Sequence, residues 1–487
     1  MKPIVYPFRA GSNSPCRLVV VLLSVFFIAA FAEASTRPEY GGTLRVQIGE
    51  RVSTIDPRQW LADSRLANAA GRVESLIFDH LVGFDDHGTI KPELAVSWEH
   101  DAQSKRWQFR LRKNVKFSDG SPLTPEAAAL ALQQLLGNAF DVSANSDSVI
   151  IQAGRSLPDL PEQLATGRYF IFHTTTDGGI FGTGPFQVSD WPPGGATKAV
   201  LTANESCWAG RPFIDKIELT TGVSFDQQAN AIAAGQADVV ELPASQVRRT
   251  MQRGVRAVSS DPVELFVLQF DAAKPAMQDA RLRQAISLSI DRASIADVIL
   301  QRQGVVAGGL LPNWISGYEH LFPVTTDLAH AKELLAATGR EVSHPAPLVL
   351  VYDSGDAEAR AVAERVAVNL RDAGIVVQIS GQAADVKNSA ADMRLMRYRL
   401  AAPDPGIALS QLLNALGEPP TTLETPEQDY AAERAPIDAF RVIPLAHVSE
   451  SYGLGPLVRD WMPPRWGGWR LEDVWLEQAP EAGGAPQ

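Results

Sequence analysis

Leu348-Val349-Leu350-Val351-Tyr352, followed by Ala357 to Ala373 and then Gly374-Ile375-Val376-Val377-Gln378-Ile379, is the stretch that decides the fold. The first five residues are apolar throughout, the pattern of a strand buried on both faces. Ala357 to Ala373 repeats its apolar residues at helical spacing, and Gly374 stands where a helix end favours a residue free to take positive φ. A second apolar run follows at once. Strand, helix and strand in this order predict a βαβ crossover, hence a parallel sheet in an α/β domain.

Toward the N-terminus the alternation continues. Arg281 to Leu300 has helical periodicity, and Val263 to Phe270 is an almost continuous apolar run, again the pattern of a strand covered on both faces. Ala237-Asp238-Val239-Val240 and Ile214 to Leu219 read as strands around a helix from Asp226 to Gly235. Gly182-Thr183-Gly184-Pro185-Phe186 is a punctuated loop ahead of the strand-like Phe186-Gln187-Val188. Arg106 to Leu111 places Trp107, Phe109 and Leu111 on one face, and with Val115-Lys116-Phe117 before Asp119-Gly120 it predicts a β-ribbon. Thr124-Pro125-Glu126 supplies an N-cap, a first-turn proline and a first-turn acid for a helix to Leu136. Leu66 to Leu81 reads as an amphipathic helix, and Leu44, Val46 and Ile48 form one face of a first strand. That strand runs into the loop Ser53-Thr54-Ile55-Asp56-Pro57. On the C-terminal side, Val442-Ile443-Pro444-Leu445 is strand-like, and four of the ten tryptophans follow at 461, 466, 469 and 475.

A chain of 487 residues exceeds one ordinary core, so two or three packed units are expected. With 45% hydrophobic and 21% charged residues the composition is that of a globular protein. Lys2, Arg9 and Arg17 precede the apolar run Leu18 to Phe31, which ends in Ala32-Glu33-Ala34. This layout predicts a signal peptide cleaved after Ala34 and a free periplasmic protein, since no lipid-accepting cysteine follows the run. An uncleaved signal anchor is the other reading of the same run. Of the two cysteines, Cys16 would leave with the signal and Cys207 would have no partner. The net charge is −12, and residues 1–34 carry three basic residues against one acid, which leaves −14 on the remainder. So acidic a surface argues against nucleic acid or anionic lipid as a partner.

Several blocks, in order, carry a family resemblance: Gly41-Gly42-Thr43-Leu44 and Ile55-Asp56-Pro57; Ile77-Phe78-Asp79-His80-Leu81-Val82 with Pro92-Glu93-Leu94-Ala95-Val96-Ser97-Trp98; Leu111-Arg112-Lys113-Asn114-Val115-Lys116-Phe117-Ser118-Asp119-Gly120; Gly182-Thr183-Gly184-Pro185-Phe186; and Arg281-Leu282-Arg283-Gln284-Ala285-Ile286 with Ile290-Asp291-Arg292. Together the chain resembles the extracytoplasmic solute-binding proteins of family 5, the peptide- and nickel-binding type. The resemblance implies an α/β, two-lobed periplasmic-binding-protein-like fold with three domains, mixed sheets and a hinge between lobes. It implies a discontinuous first domain over 35–75, 182–268 and 441–478, an inserted second domain over 76–181, and a second lobe over 269–440, followed by a loose tail over 479–487. The chain would cross between lobes near Phe270 and Arg441. The implied function is capture of a peptide-like or other small solute in the cleft and delivery to ABC permease subunits with their ATPases. The protein would be a monomer that meets the membrane only through the permease.

In peptide-binding relatives an aspartate a few residues before the Asp-Pro pair holds the peptide's ammonium, and the position best aligned with it is Ala401. Around it, Met393 to Leu400 precedes Ala401-Ala402-Pro403-Asp404-Pro405. Strand alternation puts Arg397 and Arg399 on one face, with Arg394 and Tyr398 on the other. Two readings of these arginines stay open: they meet a ligand's carboxylate or phosphate, or they pair with acids of this acidic chain. The first predicts an acid-bearing ligand that needs no free amine. Thr54, Trp60, Trp314, Arg397, Tyr398, Arg399 and Asp404 are the candidate ligand-binding residues, with core packing or lobe contact as the other reading of the two tryptophans. No zinc-protease, phosphate-loop, nucleophile-elbow or paired-cysteine motif is present, and the eight histidines are dispersed. No cofactor, metal or catalytic residue is therefore expected. A secreted hydrolase, or a sensor or chaperone subunit presenting the ligand to a receptor, remains the alternative from a different class.

Overall fold

The computed structural model describes residues 37–62, 69–167, 169–192, 197–339, 346–382, 391–400, 402–419, 423, 425–466 and 468–477. The stretch 1–34 read as a signal peptide, the segment 479–487 expected as a tail, and Ala401 lie outside the described residues. Everything below belongs to the unit that begins at Tyr40.

In chain order the elements that matter are β1 (Thr43–Gln47), α1 (Ala69–Glu74), β2 (Ala95–His100), β3 (Arg106–Leu111), α2 (Pro125–Leu136), β4 (Phe140–Ala144) and β5 (Ser148–Ala153). Next come β6 (Phe186–Asp190), β7 (Lys198–Ala203), β8 (Lys216–Thr220), α3 (Phe225–Ala233), β9 (Val239–Leu242), α4 (Ala244–Gln252), β10 (Arg256–Phe270) and α5 (Ala280–Ser289). The last are β11 (Gly304–Val306), β12 (Leu348–Asp353), α6 (Ala357–Asp372), β13 (Val377–Gln382), β14 (Met393–Arg399), α7 (Pro405–Ala415), α8 (Pro426–Asp438) and β15 (Val442–Leu454).

One eleven-stranded sheet runs β6-β7-β8-β1-β9-β15-β10-β14-β12-β13, with β11 beside β15. It contains two parallel triplets: β1 lies between β8 and β9, and β12 lies between β13 and β14. The antiparallel pair β15 and β10 joins them. A separate four-stranded sheet, β2-β3-β5-β4, packs on α2.

The crossover expected at 348–379 is present as β12, α6 and β13. Asp356 caps α6 by accepting the N–H groups of Glu358 and Ala359, and Ala359, Val362, Ala363, Val366 and Leu370 form its buried stripe. Gly374 takes φ 92°, and β13 starts at Val377 because Ile375 is spent filling the core at the turn. Two helices are shorter than expected. The 281–300 run breaks after Ser289, where Ile290 is extended, and Asp291 caps a new turn that continues as a π-helix over Ile295–Ile299. Within 66–81 the described helix is α1 alone, and the chain turns through Ser75 to Ile77.

Instead of an eight-residue strand at 263–270, β10 has fifteen residues. Its first half, Arg256 to Pro262, is polar and half-buried and is held in the sheet by pairing with β15 rather than by any apolar pattern. The ladder between them shifts register on either side of Pro262, which has no N–H to give it. Core membership changes along both strands. Tyr452 and Leu454 join Leu44, Val46, Ile217 and Trp469 in one core, with Val258 against it. Phe266, Leu268, Ile443 and Val448 join Leu350, Val362 and Val366 in another. The opposite face of the second half-sheet packs Leu265, Val267 and Tyr398 on α7.

Gly182-Thr183-Gly184 lies flat on the 76–78 backbone: Gly184 N–H donates to the Ile77 carbonyl at 2.9 Å and Phe186 N–H to that of Leu76 at 2.9 Å. A Cβ on Gly182 would stand 2.0 Å from the Ile77 oxygen. Gly182→Ala is therefore expected to cost about 1–3 kcal/mol or more in urea unfolding. An unchanged midpoint would show that this backbone contact yields freely.

Candidate functional site

In open α/β sheets, ligand crevices lie outside the carboxyl ends of parallel strands, where the chain reverses into helices. Here the two triplets bring such ends together. β9 leads into α4, β12 leads into the Asp356 cap of α6, and Ser245 N–H at the start of α4 donates to Glu358 of α6 at 3.2 Å.

Between them lie two hydrogen-bonded groups of charged side chains that act on one another electrostatically through Glu264 and Glu450. Arg397 on β14 donates from Nε to Glu264 of β10 at 3.0 Å, and from Nη1 to Asp356 at 3.1 Å and Glu358 at 3.2 Å, with its guanidinium over the Phe266 ring. Its Nη2 also meets Glu264. Arg399 donates from Nε to Glu450 of β15 at 2.9 Å, and the two side chains are only 4% and 5% exposed. Glu450 also accepts from Arg72 of α1 at 3.4 Å. Arg72 donates further to Glu241 of β9 at 2.8 Å and to the Tyr452 hydroxyl at 2.8 Å. Glu241 closes the set by accepting Gly49 N–H, just past β1, at 2.6 Å.

Three guanidiniums thus face five carboxylates, an excess of two negative charges among the described residues. Burial pushes the carboxyls of Glu264 and Glu358 up despite Arg397. For Glu450 burial works in the same sense, but Arg399 and Arg72 outweigh it and hold the carboxyl below its ordinary range. Side chains of Arg397, Glu264 and Asp356 keep 25%, 14% and 17% of their exposure, so this end of the network meets water.

The candidate residues separate accordingly. Arg397 and Arg399 belong to these groups, and every nitrogen of the Arg397 guanidinium faces a carboxylate of the chain. Trp314 is anchored on β10: Nε1 donates to the Pro262 carbonyl at 2.9 Å, and the ring stacks on Trp466 with centroids 5.9 Å apart. Trp466 Nε1 in turn donates to the Asp85 carbonyl at 2.9 Å. Thr54 accepts Asp56 N–H at 3.0 Å and shapes its own loop. Trp60 sits in a 3-10 turn over Pro57–Ala62, and its side chain lies outside the described residues. Tyr398 is buried against α7 with its hydroxyl donating to the Ala415 carbonyl at 3.3 Å. Asp404 is the N-cap of α7, accepting Ile407 N–H at 2.9 Å.

Sequence inspection passed over Arg72, Glu241, Glu264, Asp356, Glu358, Glu450 and Trp466. A signal existed for two of them: Glu264 interrupts the apolar run 263–270, and Glu450 sits in a strand buried almost throughout. No group of three or more His, Cys, Asp or Glu among the described residues could hold a metal ion. Burial pushes the Cys207 thiol up to about 11, away from the thiolate a nucleophile needs.

A sequence profile of the bacterial extracellular solute-binding proteins, family 5 Middle, matches residues 89–420. The chain is 27% identical to the nickel-binding periplasmic protein of Escherichia coli (strain K12) over 349 residues, covering 63% of this chain and 66% of that protein. It is 25% identical to the probable D,D-dipeptide-binding periplasmic protein DdpA of the same strain over 403 residues, covering 76% and 75%. Among solved structures, NikA from Staphylococcus aureus in complex with Ni(L-His)2 superposes with a TM-score of 0.78 at 18% identity, over 89% of this chain and all of that one. The Escherichia coli murein tripeptide binding protein MppA gives 0.76 at 19% identity, over 90% and 99%. These two share the fold.

Proposed function

Since the chain belongs to the bacterial extracellular solute-binding proteins of family 5, we propose that it is the periplasmic substrate-binding component of an ABC importer, taking a small solute and handing it to permease subunits served by ATPases. The observation that carries this is the family match across 89–420, on a sheet whose two parallel triplets turn their carboxyl ends toward one another. Members of this family are binding proteins of transporters, not enzymes. On this reading the two cores are those of two lobes. The crossings lie where core membership changes, near 259–263 and 449–451, rather than at Phe270 and Arg441. The charge network is the floor of the cleft, and Trp314 with Trp466 stands at its edge. The protein acts as a monomer.

Arg397 and Arg399 are engaged within the chain, so an acid-bearing solute loses the donors on which that expectation rested. The surplus of two carboxylates instead favours a solute with a cationic or neutral polar group, because an anion would enter a field of its own sign. Native mass spectrometry of freshly purified protein is the first test, and the co-purified mass names the solute. Calorimetry with a peptide panel and its N-acetylated counterparts is the second. Removing the ammonium is expected to weaken binding at least about tenfold, as for loss of one partner of a desolvated charge pair. Preferential binding of the acetylated or acidic members would reverse the charge assignment. Turnover of the bound solute by pure protein would replace transport with catalysis.

A further inference from the structure

Away from the charge network, the loop that carries Trp314 is tied down by a second buried group. Glu433 of α8, fully buried, accepts the N–H groups of both Leu310 and Leu311, at 2.5 and 2.9 Å. His447 of β15, 1% exposed, approaches the Leu310 carbonyl with Nε2 at 3.1 Å. One peptide unit is therefore gripped at both ends, three residues before the helical turn Asn313–Ser316 that holds Trp314. Glu319, from the far side of the same loop, accepts Asn313 N–H at 3.0 Å with one oxygen and turns the other to His447 Nδ1 at 3.4 Å.

The chemistry of that last contact is decided by the first. A carbonyl only accepts, so Nε2 carries a hydrogen. With Nε2 protonated, a neutral ring turns a lone pair from Nδ1 toward a carboxylate oxygen. The pair is attractive only if one proton lies between them, on the imidazolium or on the carboxyl.

We propose that Glu433, His447 and Glu319 form a proton-linked clamp on the Leu310 peptide, with Glu433 the positioning residue that sets where Trp314 stands at the rim of the solute cleft. The groups facing the clamp are Tyr318 and Glu319 from the loop, Asp429 one turn earlier on α8, and His447 on β15, while β10 offers Leu265 and Val267. Asp404 at the cap of α7 acts on Asp429. His447 is the one basic side chain among them. Raising the pH thus loads negative charge into a buried site with little to balance it. Burial lifts the Glu433 carboxyl to about 7 and Asp429 to about 6. An acid whose pKa is raised in one state binds its proton better there, so that state loses stability as pH rises from the solvated value to the raised one. The clamped state is accordingly favoured near pH 5 and weakened by pH 8.

The clamp depends on the proposed function only for the role of Trp314, and it can be tested without any solute. Amide hydrogen exchange of Leu310 and Leu311 in the full protein, corrected for intrinsic exchange, is expected to lose at least about tenfold of its protection between pH 5.5 and 8. Amides of β13 serve as the control and stay flat. Glu433→Gln keeps an oxygen for both N–H groups and cannot ionise, so its protection at pH 8 should match the wild-type value at pH 5.5. Flat wild-type protection across this range overturns the proposal by itself, whether or not the variant folds. So does an unchanged step in Glu433→Gln. Poor solute binding by a protein that shows the step would instead count against the assignment of the cleft.

Discussion

Glu450→Ala is expected to lower stability by about 3–5 kcal/mol at pH 7, because a buried ion pair broken from one side leaves its partner charged and unpaired. Here Arg399, buried beside it, is left without its carboxylate, and Arg72 loses one partner but keeps Glu241. The effect depends on pH in a defined sense. Glu450 has its carboxyl held below the ordinary range, so its contribution is complete above the unfolded carboxyl value and is lost as pH falls through the folded one. Urea unfolding should therefore show the wild-type and variant curves converging below about pH 4. A loss of under about 1 kcal/mol at pH 7 would mean that water reaches the arginines and repairs the pair.

The second large effect belongs to Arg397→Met. Methionine preserves much of the side chain's length but leaves Glu264, Asp356 and Glu358 without their guanidinium, again about 3–5 kcal/mol at neutral pH. The pH sense of the defect is the same as for Glu450, in a higher window. Glu264 and Glu358 already have carboxyls pushed up by burial, and losing Arg397 pushes them further, so the defect is greatest at high pH and shrinks toward about pH 5 as they take up protons. Solute affinity of the folded variant supplies a separate readout. A direct contact between Arg397 and the solute would weaken binding at least about tenfold. Affinity within about twofold of wild type leaves Arg397 a purely structural role.

What could be read in the sequence was whatever is written within a few residues. The β12–α6–β13 crossover and the Thr124 cap of α2 are local patterns, and both are in place. The break after Ser289 was harder, because Ile290-Asp291 keeps the apolar spacing of a helix while Asp291 turns its side chain to capping a new turn. The first half of β10 has no strand signature, since pairing with β15 supplies what its own side chains do not. At the site the distances along the chain are larger still: 378 residues separate Arg72 from Glu450 and 133 separate Arg397 from Glu264. Arginines on alternate positions of β14 were visible, but only the closed sheet shows which acids meet them.

The pairing of β10 with β15 has a mechanical consequence. Among the described residues both strands run from one core to the other, and they lie side by side, cross-linked by the ladder from Arg256–Leu454 to Gln269–Val442. Such a ribbon resists stretching and resists sliding one strand past the other, because either breaks hydrogen bonds in series. It yields to bending out of its plane and to twist, which only tilt them. The ladder is interrupted at Pro262, where it shifts register on both sides and the Trp314 indole is anchored to the carbonyl.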